Sequence, residues 1–297
     1  MRLVTVRDRG KNAGGVLTGD GSIAALYRWG WQTVPELIRA GPAAWDRIDQ
    51  ECAGATPDWP PDQELHAPLP QLPRNMFCVG VNYLSHYSEG DRQGVPMPDH
   101  PVIFSKPVTT LVGPRDDLVV DRSATEQPDW EAELAVVIGT AGLNIDESHA
   151  ADHVFGYCLA NDVSARDLQR ANGPWSQWLK GKSLDGFCPL GPFIAAGRDV
   201  PALDGLRIVL TVDGELKQDF CPAEMYHPIP KIIAYLSRGM ELLPGDLILT
   251  GTAAGVGFWH DPPTYLAGGN VVQISCEGLG ELSNTVVDRT GLSSWKV

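Results

Sequence analysis

The chain reads as a β-rich, mixed α+β protein, and three observations carry that reading. Apolar runs of strand length outnumber helical segments. They do not alternate as strict strand–helix–strand units, which argues against a doubly wound or barrel architecture. Glycine and proline are abundant, 32 and 24 of 297 residues, which multiplies turns and disfavours a helical bundle. Hydrophobic residues at 43% and charged residues at 20% suit a folded chain that buries a substantial core without disulfides or a structural metal.

Short apolar alternations, Leu3-Val4-Val6 and Val16-Leu17, open the chain. Thr33 before Pro35 then signals the N-cap of a helix through Ile38. Residues 55–74, ATPDWPPDQELHAPLPQLPR, contain six prolines and can form neither a helix nor a central strand. They divide the chain into a small N-terminal domain with its linker, 1–74, and a main body, 75–297. In the body, strands are expected at 76–83, 130–139, 154–160, 207–212, 247–250 and 271–276. Asp213-Gly214 marks a hairpin turn. Short helices are expected at 146–153, at 164–170 with Ser164 as cap, and at 229–238.

Lysine and arginine number 23 against 37 acidic residues, a net charge of −14. A surface so acidic repels phosphate backbones and anionic lipid, so neither nucleic acid nor membrane is an expected partner. No window has the roughly 18 apolar residues of a membrane span. The opening MRLVTVRDRGKNAGG lacks an apolar signal region, and a cytoplasmic location is expected. The six cysteines show no pairing pattern and read as free, mostly buried thiols.

The segment Trp130-Glu131-Ala132-Glu133-Leu134-Ala135-Val136-Val137-Ile138 carries the most chemistry. On a strand, Trp130, Ala132, Leu134, Val136 and Ile138 share one apolar face, and Glu131 and Glu133 lie together on the other. Two neighbouring carboxylates repel unless a cation lies between them or water covers them; a divalent metal and a solvated edge strand both satisfy this. Oxygen-only ligands would select Mg²⁺, Mn²⁺ or Ca²⁺. Asp162, ending a strand, is a third carboxylate, although Asn-Asp there is also ordinary turn chemistry. Arg166 and Gln169 share a face of the next helix, either towards a site or towards solvent. His86 and Glu89, three apart, form either a general-base pair or a chance surface pair. The loop after Glu89, through Gly90 and Gly94 to His100, has the composition of a lid. Lys106 and Lys182 are candidate local cations, and Trp175 and Trp178 candidate pocket walls. Gly251-Thr252-Ala-Ala-Gly255-Val-Gly257 lacks the order and the lysine of a nucleotide-binding loop and reads as a tight turn lining a pocket.

In order, CVGVNYLSHYSE (78–89), PVIFSKP (101–107), DWEAELAVVIG (129–139), GYCLANDVSARDLQ (156–169), GKSLDGFCPLGPF (181–193), PGDLILTGT (244–252) and EGLGELSN (277–284) resemble the fumarylacetoacetate hydrolase family over about residues 75–290. The resemblance implies a mixed β-sandwich roll of the fumarylacetoacetase C-terminal type, usually a homodimer. It implies a divalent metal, Mg²⁺ or Mn²⁺ with Ca²⁺ as an option, on Glu131, Glu133 and Asp162. By the same likeness His86 and Glu89 are the water-activating dyad and Lys182 the catalytic lysine, while Arg166, Gln169 and Thr252 contact substrate. The activity implied is hydrolysis of the C–C bond of a 2,4-diketo acid, an acylpyruvate or fumarylpyruvate, to pyruvate and a carboxylic acid. Oxaloacetate decarboxylation, diene-dioate isomerisation and ureidoglycolate cleavage are alternatives at the same centre. Ala253 and Ala254 depart from the family's usual continuation of the TGT turn, and Gly186 replaces the threonine of some members.

Overall fold

The computed structural model describes residues 1–8, 10–90, 95–171, 173 and 176–291; Trp175 and residues 91–94 of the segment expected to form a lid, Gly94 included, lie outside the described residues. An eleven-stranded sheet forms the body. Its main path runs Ile23–Ala25, Lys11–Leu17, Arg2–Asp8, Cys188–Ala196, Val154–Asn161, Ala132–Ile138, Leu247–Leu249, Met76–Gly80 and Val102–Lys106. Two two-residue strands, Leu65–His66 and Leu111–Val112, attach to Arg2–Asp8 and Cys188–Ala196. A five-stranded sheet is ordered Glu215–Phe220, Ile208–Val212, Val271–Cys276, Gly280–Arg289 and Leu118–Asp121.

The alternation read from 130–138 divides the core. Trp130, Ala132, Leu134, Val136 and Ile138 join one hydrophobic cluster, with Leu210, Ile274 and Leu282 of the smaller sheet. Ala135 and Val137 join a second, with Leu37 and Ile38 of the N-terminal region. Both faces of the strand are therefore buried, and the solvated-edge alternative for Glu131 and Glu133 is excluded. Thr33 caps the helix Val34–Ala40 in a reciprocal capping box with Glu36, as its spacing implies. Residues 1–74 supply four strands to one end of the large sheet, the short Leu65–His66 among them, joined through Arg2–Asp8 to Cys188–Ala196.

Several expected elements shift. The strand expected over 76–83 ends at Gly80, because Val81 adopts a left-handed conformation, φ 56°. Asn82 then turns into the core, donating to the carbonyls of His227 and Thr250. Ser164 does not cap a helix. It pairs with Asp129 in a two-residue ladder, its hydroxyl bonds the Asp162 carbonyl and the Glu131 carboxylate, and the helix is shortened to Arg166–Gln169. The helix expected over 146–153 is 3₁₀, Glu147–His153, with Asp146 accepting from the Ser148 N–H. Asp213 and Gly214 are both left-handed, φ 52° and 79°, as a tight hairpin requires. All six cysteines are free. No helix among the described residues is long and apolar enough to cross a membrane.

Candidate active site

Antiparallel pairing of Ala132–Ile138 with Val154–Asn161 places Ala132 opposite Asn161, and the Asp162 N–H donates to the Glu131 carbonyl at 2.9 Å. This register brings Glu131, Glu133 and Asp162 together at the ends of two central strands. One carboxylate oxygen from each lies within 4.8 Å of the others, and all three residues are buried. Glu131 precedes the regular strand, its N–H held by Asn161 Oδ1 at 3.0 Å.

Three buried cations surround the cluster. Lys182 Nζ bridges Glu131 Oε2 at 2.6 Å and Asp162 Oδ2 at 2.7 Å. Lys106 Nζ holds the other Asp162 oxygen at 2.7 Å and the Val163 carbonyl at 3.1 Å. Arg166 pairs with Glu131 at 2.7 Å and with Asp129 at 2.8 Å, and donates to Gln169 Oε1 at 3.0 Å. Glu133 has no ammonium or guanidinium partner among the described residues; its Oε2 accepts only the Gly251 N–H at 2.7 Å. Gly251 sits at φ 96°, and a Cβ there would collide with Asn82 and the Val79 carbonyl, so a side chain would displace this donor.

Burial favours the neutral form of Glu131, but Lys182 and Arg166 override it and hold the carboxyl at about 2. Burial, then the charges of Asp162 and Glu131, push Glu133 well above the usual carboxylate range. Burial disfavours the Lys182 ammonium, yet Asp162 and Glu131 more than offset this and raise its pKa. The uncompensated carboxylate beside two others is what a hard dication requires, and the donor set is all oxygen. The residues therefore fit a divalent metal held by Glu131, Glu133 and Asp162.

Above the carboxylates lies a polar cavity of about 100 Å³, smaller than the roughly 300–1,000 Å³ of sites for larger ligands. It is lined by eight residues singled out in the sequence: His86, Glu131, Glu133, Arg166, Gln169, Trp178, Lys182 and Thr252. Asp162 is fully buried beneath, and Glu89 stands behind His86. His86 and Glu89 share the short helix Leu84–Glu89, with His86 Nδ1 2.9 Å from Glu89 Oε2. The other Glu89 oxygen accepts the Gly255 N–H, tying this helix to the turn after Thr252. The Thr252 hydroxyl is engaged by the Ala132 carbonyl and by Gln218 Nε2, both at 2.8 Å, so it shapes the cavity floor. Trp178 is a wall: it packs edge-on against Phe104, and its ring passes so close to Gly80 that a Cβ there would overlap it. His100 stacks on Tyr235 instead.

Sequence reading missed Asp129, Gln218, Arg170, Phe258 and Trp259. Asp129 is fully buried and gathers the N–H groups of Trp130, Gly257 and Phe258 together with Arg166 Nε. A charged residue directly before an apolar strand was the available signal. Gln218 bonds the Ala132 N–H across the two sheets, a partnership no local pattern reveals.

A β-sandwich with a buried tri-carboxylate centre and a histidine–glutamate pair at one small polar cavity has the make-up of an enzyme site that could hold a metal. The chain belongs to the fumarylacetoacetate hydrolase family: the family model for the fumarylacetoacetate hydrolase C-terminal region matches residues 75–287. It is 40% identical to the oxaloacetate tautomerase YisK of Bacillus subtilis over 75% of this chain and 73% of that protein. It is 39% identical to the human mitochondrial oxaloacetate tautomerase FAHD2A over 93% of this chain and 85% of that protein. Among solved structures, a fumarylacetoacetate hydrolase from Exiguobacterium antarcticum matches with TM-score 0.80 at 36% identity, covering 97% of this chain and all of that one. Maleylpyruvate hydrolase from Sphingobium, solved with manganese(II) and pyruvate, matches with TM-score 0.78 at 27% identity, covering 97% and 99% of the two chains. The protein is thus an enzyme of this superfamily, whose named members include tautomerases and hydrolases.

Proposed function

We propose that the protein enolises a small 2-oxo acid in a divalent-metal-dependent reaction, with keto–enol interconversion of oxaloacetate or a close analogue as its activity. The observation that carries this reading is the opposition of one oriented imidazole, His86, to a fixed cluster of cations and carboxylates across a small polar cavity. The relatives named as oxaloacetate tautomerases support it.

A divalent cation on Glu131, Glu133 and Asp162 would polarise the 2-oxo group and neutralise the adjacent carboxylate. The chain's own residues supply the rest. Gln169, whose carbonyl oxygen is taken by Arg166, offers its amide N–H to the bound acid. Glu89 on Nδ1 fixes the His86 tautomer and leaves Nε2 as the base for a proton on C3. As that C–H bond breaks, the C2–C3 double bond forms and negative charge develops on the 2-oxo oxygen. The Lys182 ammonium, held charged by its carboxylates, stands at the same end to hydrogen-bond that oxygen. Returning the proton to the oxygen gives the enol, and the reverse sequence gives the ketone.

The His86–Glu89 dyad also favours a second reading. The same Nε2 could take a proton from water, which then attacks the 4-oxo carbon of a 2,4-diketo acid and releases pyruvate and a carboxylic acid. One experiment separates the two. Metal-free protein is reloaded with Mg²⁺ or Mn²⁺, and oxaloacetate enol and ketone are followed together with CO₂, pyruvate and acylpyruvate cleavage. Metal-dependent acceleration of tautomerisation without pyruvate release is the expected result. Pyruvate plus the matching acid from an acylpyruvate establishes the hydrolase reading, and no effect on either substrate overturns both.

A further inference from the structure

Three cationic side chains line the cavity: Arg166, Arg170 and Lys182. Two are already neutralised by carboxylates of the chain, Arg166 by Asp129 and Glu131 and Lys182 by Glu131 and Asp162. Arg170 is different. It follows the helix Arg166–Gln169 and is exposed to solvent, and among the described residues it has no ion pair. Its guanidinium lies 4.7 Å over the Phe258 ring and 5.6 Å from the Trp259 ring, a face-on arrangement that restrains the group while leaving its N–H edge free.

The shelf that holds Arg170 is built into the site. Asp129 accepts the N–H groups of Gly257 and Phe258 while binding Arg166, so one buried carboxylate sets the aromatic shelf and the deep arginine together. Trp259 also packs close to Gly90, at the end of the His86–Glu89 helix. Arg170 thus lines the same small cavity as Glu131, Glu133 and His86. On a chain of net charge −14, an unpaired, pre-oriented guanidinium here is a local exception that attracts an anion.

We infer that Arg170 is a specificity-determining residue that binds the distal carboxylate of the substrate, so that the site selects 2-oxo dicarboxylic acids over 2-oxo monocarboxylic acids. The inference rests on the reading of the cavity as a 2-oxo acid site and adds the second carboxylate. Arg170 forms a charge-assisted, two-toothed contact with that group, and C3, between the two carboxyl ends, comes under His86.

The test is calorimetric titration of Mn²⁺-loaded protein, wild type, Arg170→Gln and Arg170→Lys, with pyruvate and with the four- and five-carbon dicarboxylates oxaloacetate and 2-oxoglutarate. Wild type should bind a dicarboxylate more tightly than pyruvate. Arg170→Gln should weaken that dicarboxylate by about 10–100-fold, the range of a lost charge-assisted contact, with pyruvate affinity and the thermal midpoint unchanged. Arg170→Lys should retain part of the preference. Equal loss for pyruvate and dicarboxylate, or no preference in the wild type, overturns the assignment while leaving the 2-oxo acid site in place. Failure of every 2-oxo acid to bind the Mn²⁺-loaded protein overturns the site reading itself and this inference with it. A lowered midpoint in Arg170→Gln without a change in preference shows that the arginine serves only to pack the aromatic shelf.

Discussion

The carboxylate cluster and the His86–Glu89 pair face one cavity but are held in opposite ways. Glu131, Glu133 and Asp162 end two central strands with core on both faces, and Lys106, Lys182, Arg166, Ser164 and the Gly251 N–H fix their oxygens. The dyad rides on a six-residue helix with no buried residue, its two side chains 14% and 18% exposed. Among the described residues the helix is tied by the Gly255 N–H to Glu89, by the Tyr87 hydroxyl to the Val95 carbonyl, and by Ser85 to the Ala254 N–H at 3.4 Å. The carboxylate half of the site is fixed by the core, whereas the histidine–glutamate half sits on a peripheral element that small changes can re-aim. That division gives a physical reason for relatives named as tautomerases and as hydrolases to share one scaffold.

The largest effect should come from the rigid half. Lys106→Met removes a fully buried ammonium from Asp162 and leaves that carboxylate leaning on Lys182 alone. Breaking a buried pair on one side costs about 3–5 kcal/mol, read by denaturant unfolding of the metal-free protein. A loss below about 1 kcal/mol would mean that the cluster is not fixed as described. His86→Ala should act the other way. It should leave Mn²⁺ affinity and unfolding midpoint near wild type while lowering turnover by about 100-fold, roughly 2.7 kcal/mol of barrier. Normal turnover would remove the imidazole from the reaction, and lost Mn²⁺ affinity would tie the two halves together after all.

The same contrast sets how much was legible in the sequence. Glu131 and Glu133 announce themselves because a strand alternates, and two acids inside an apolar run need an explanation wherever they occur. The hairpin at Asp213-Gly214 and the cap at Thr33 are likewise local chemistry. Cys188–Ala196 was not read as a strand because two prolines and Gly191 interrupt it, yet it joins the N-terminal strands to the centre of the sheet. Ser164 was misassigned because capping is a local rule, and its hydroxyl is claimed by Glu131, 33 residues earlier. Asp129, Gln218 and Lys106 act across 37 to 86 residues of chain. Their partners exist only once the sheets have paired, so the sequence offers Lys106 as a candidate cation but not the carboxylate it serves.

The smallest effect is the most diagnostic, because it changes sign. Glu131 and Glu133 are two residues apart on one face, yet their surroundings drive them in opposite directions. Glu131, held at about 2 after Lys182 and Arg166 overcome its burial, contributes stability at neutral pH that is lost as pH falls from the usual carboxylate range towards 2. Glu133, raised by burial and by its acidic neighbours, does the reverse: its favourable contribution is present at low pH and is lost as pH rises from the usual carboxylate range through its raised value. Glu133→Gln keeps an oxygen for the Gly251 N–H and removes the like charge. In EDTA the variant should be more stable than wild type by about 1 kcal/mol, or about 2–4 °C in midpoint, with the gap widening as pH rises through that window. With Mn²⁺ the order should invert, because wild type gains about 2.7 kcal/mol at a hundredfold excess of metal over its dissociation constant and the variant, lacking its third carboxylate, gains far less. A variant no more stable than wild type in EDTA would show that the Glu133 carboxylate is already compensated. Equal stabilisation of both by Mn²⁺ would take Glu133 out of the ligand set.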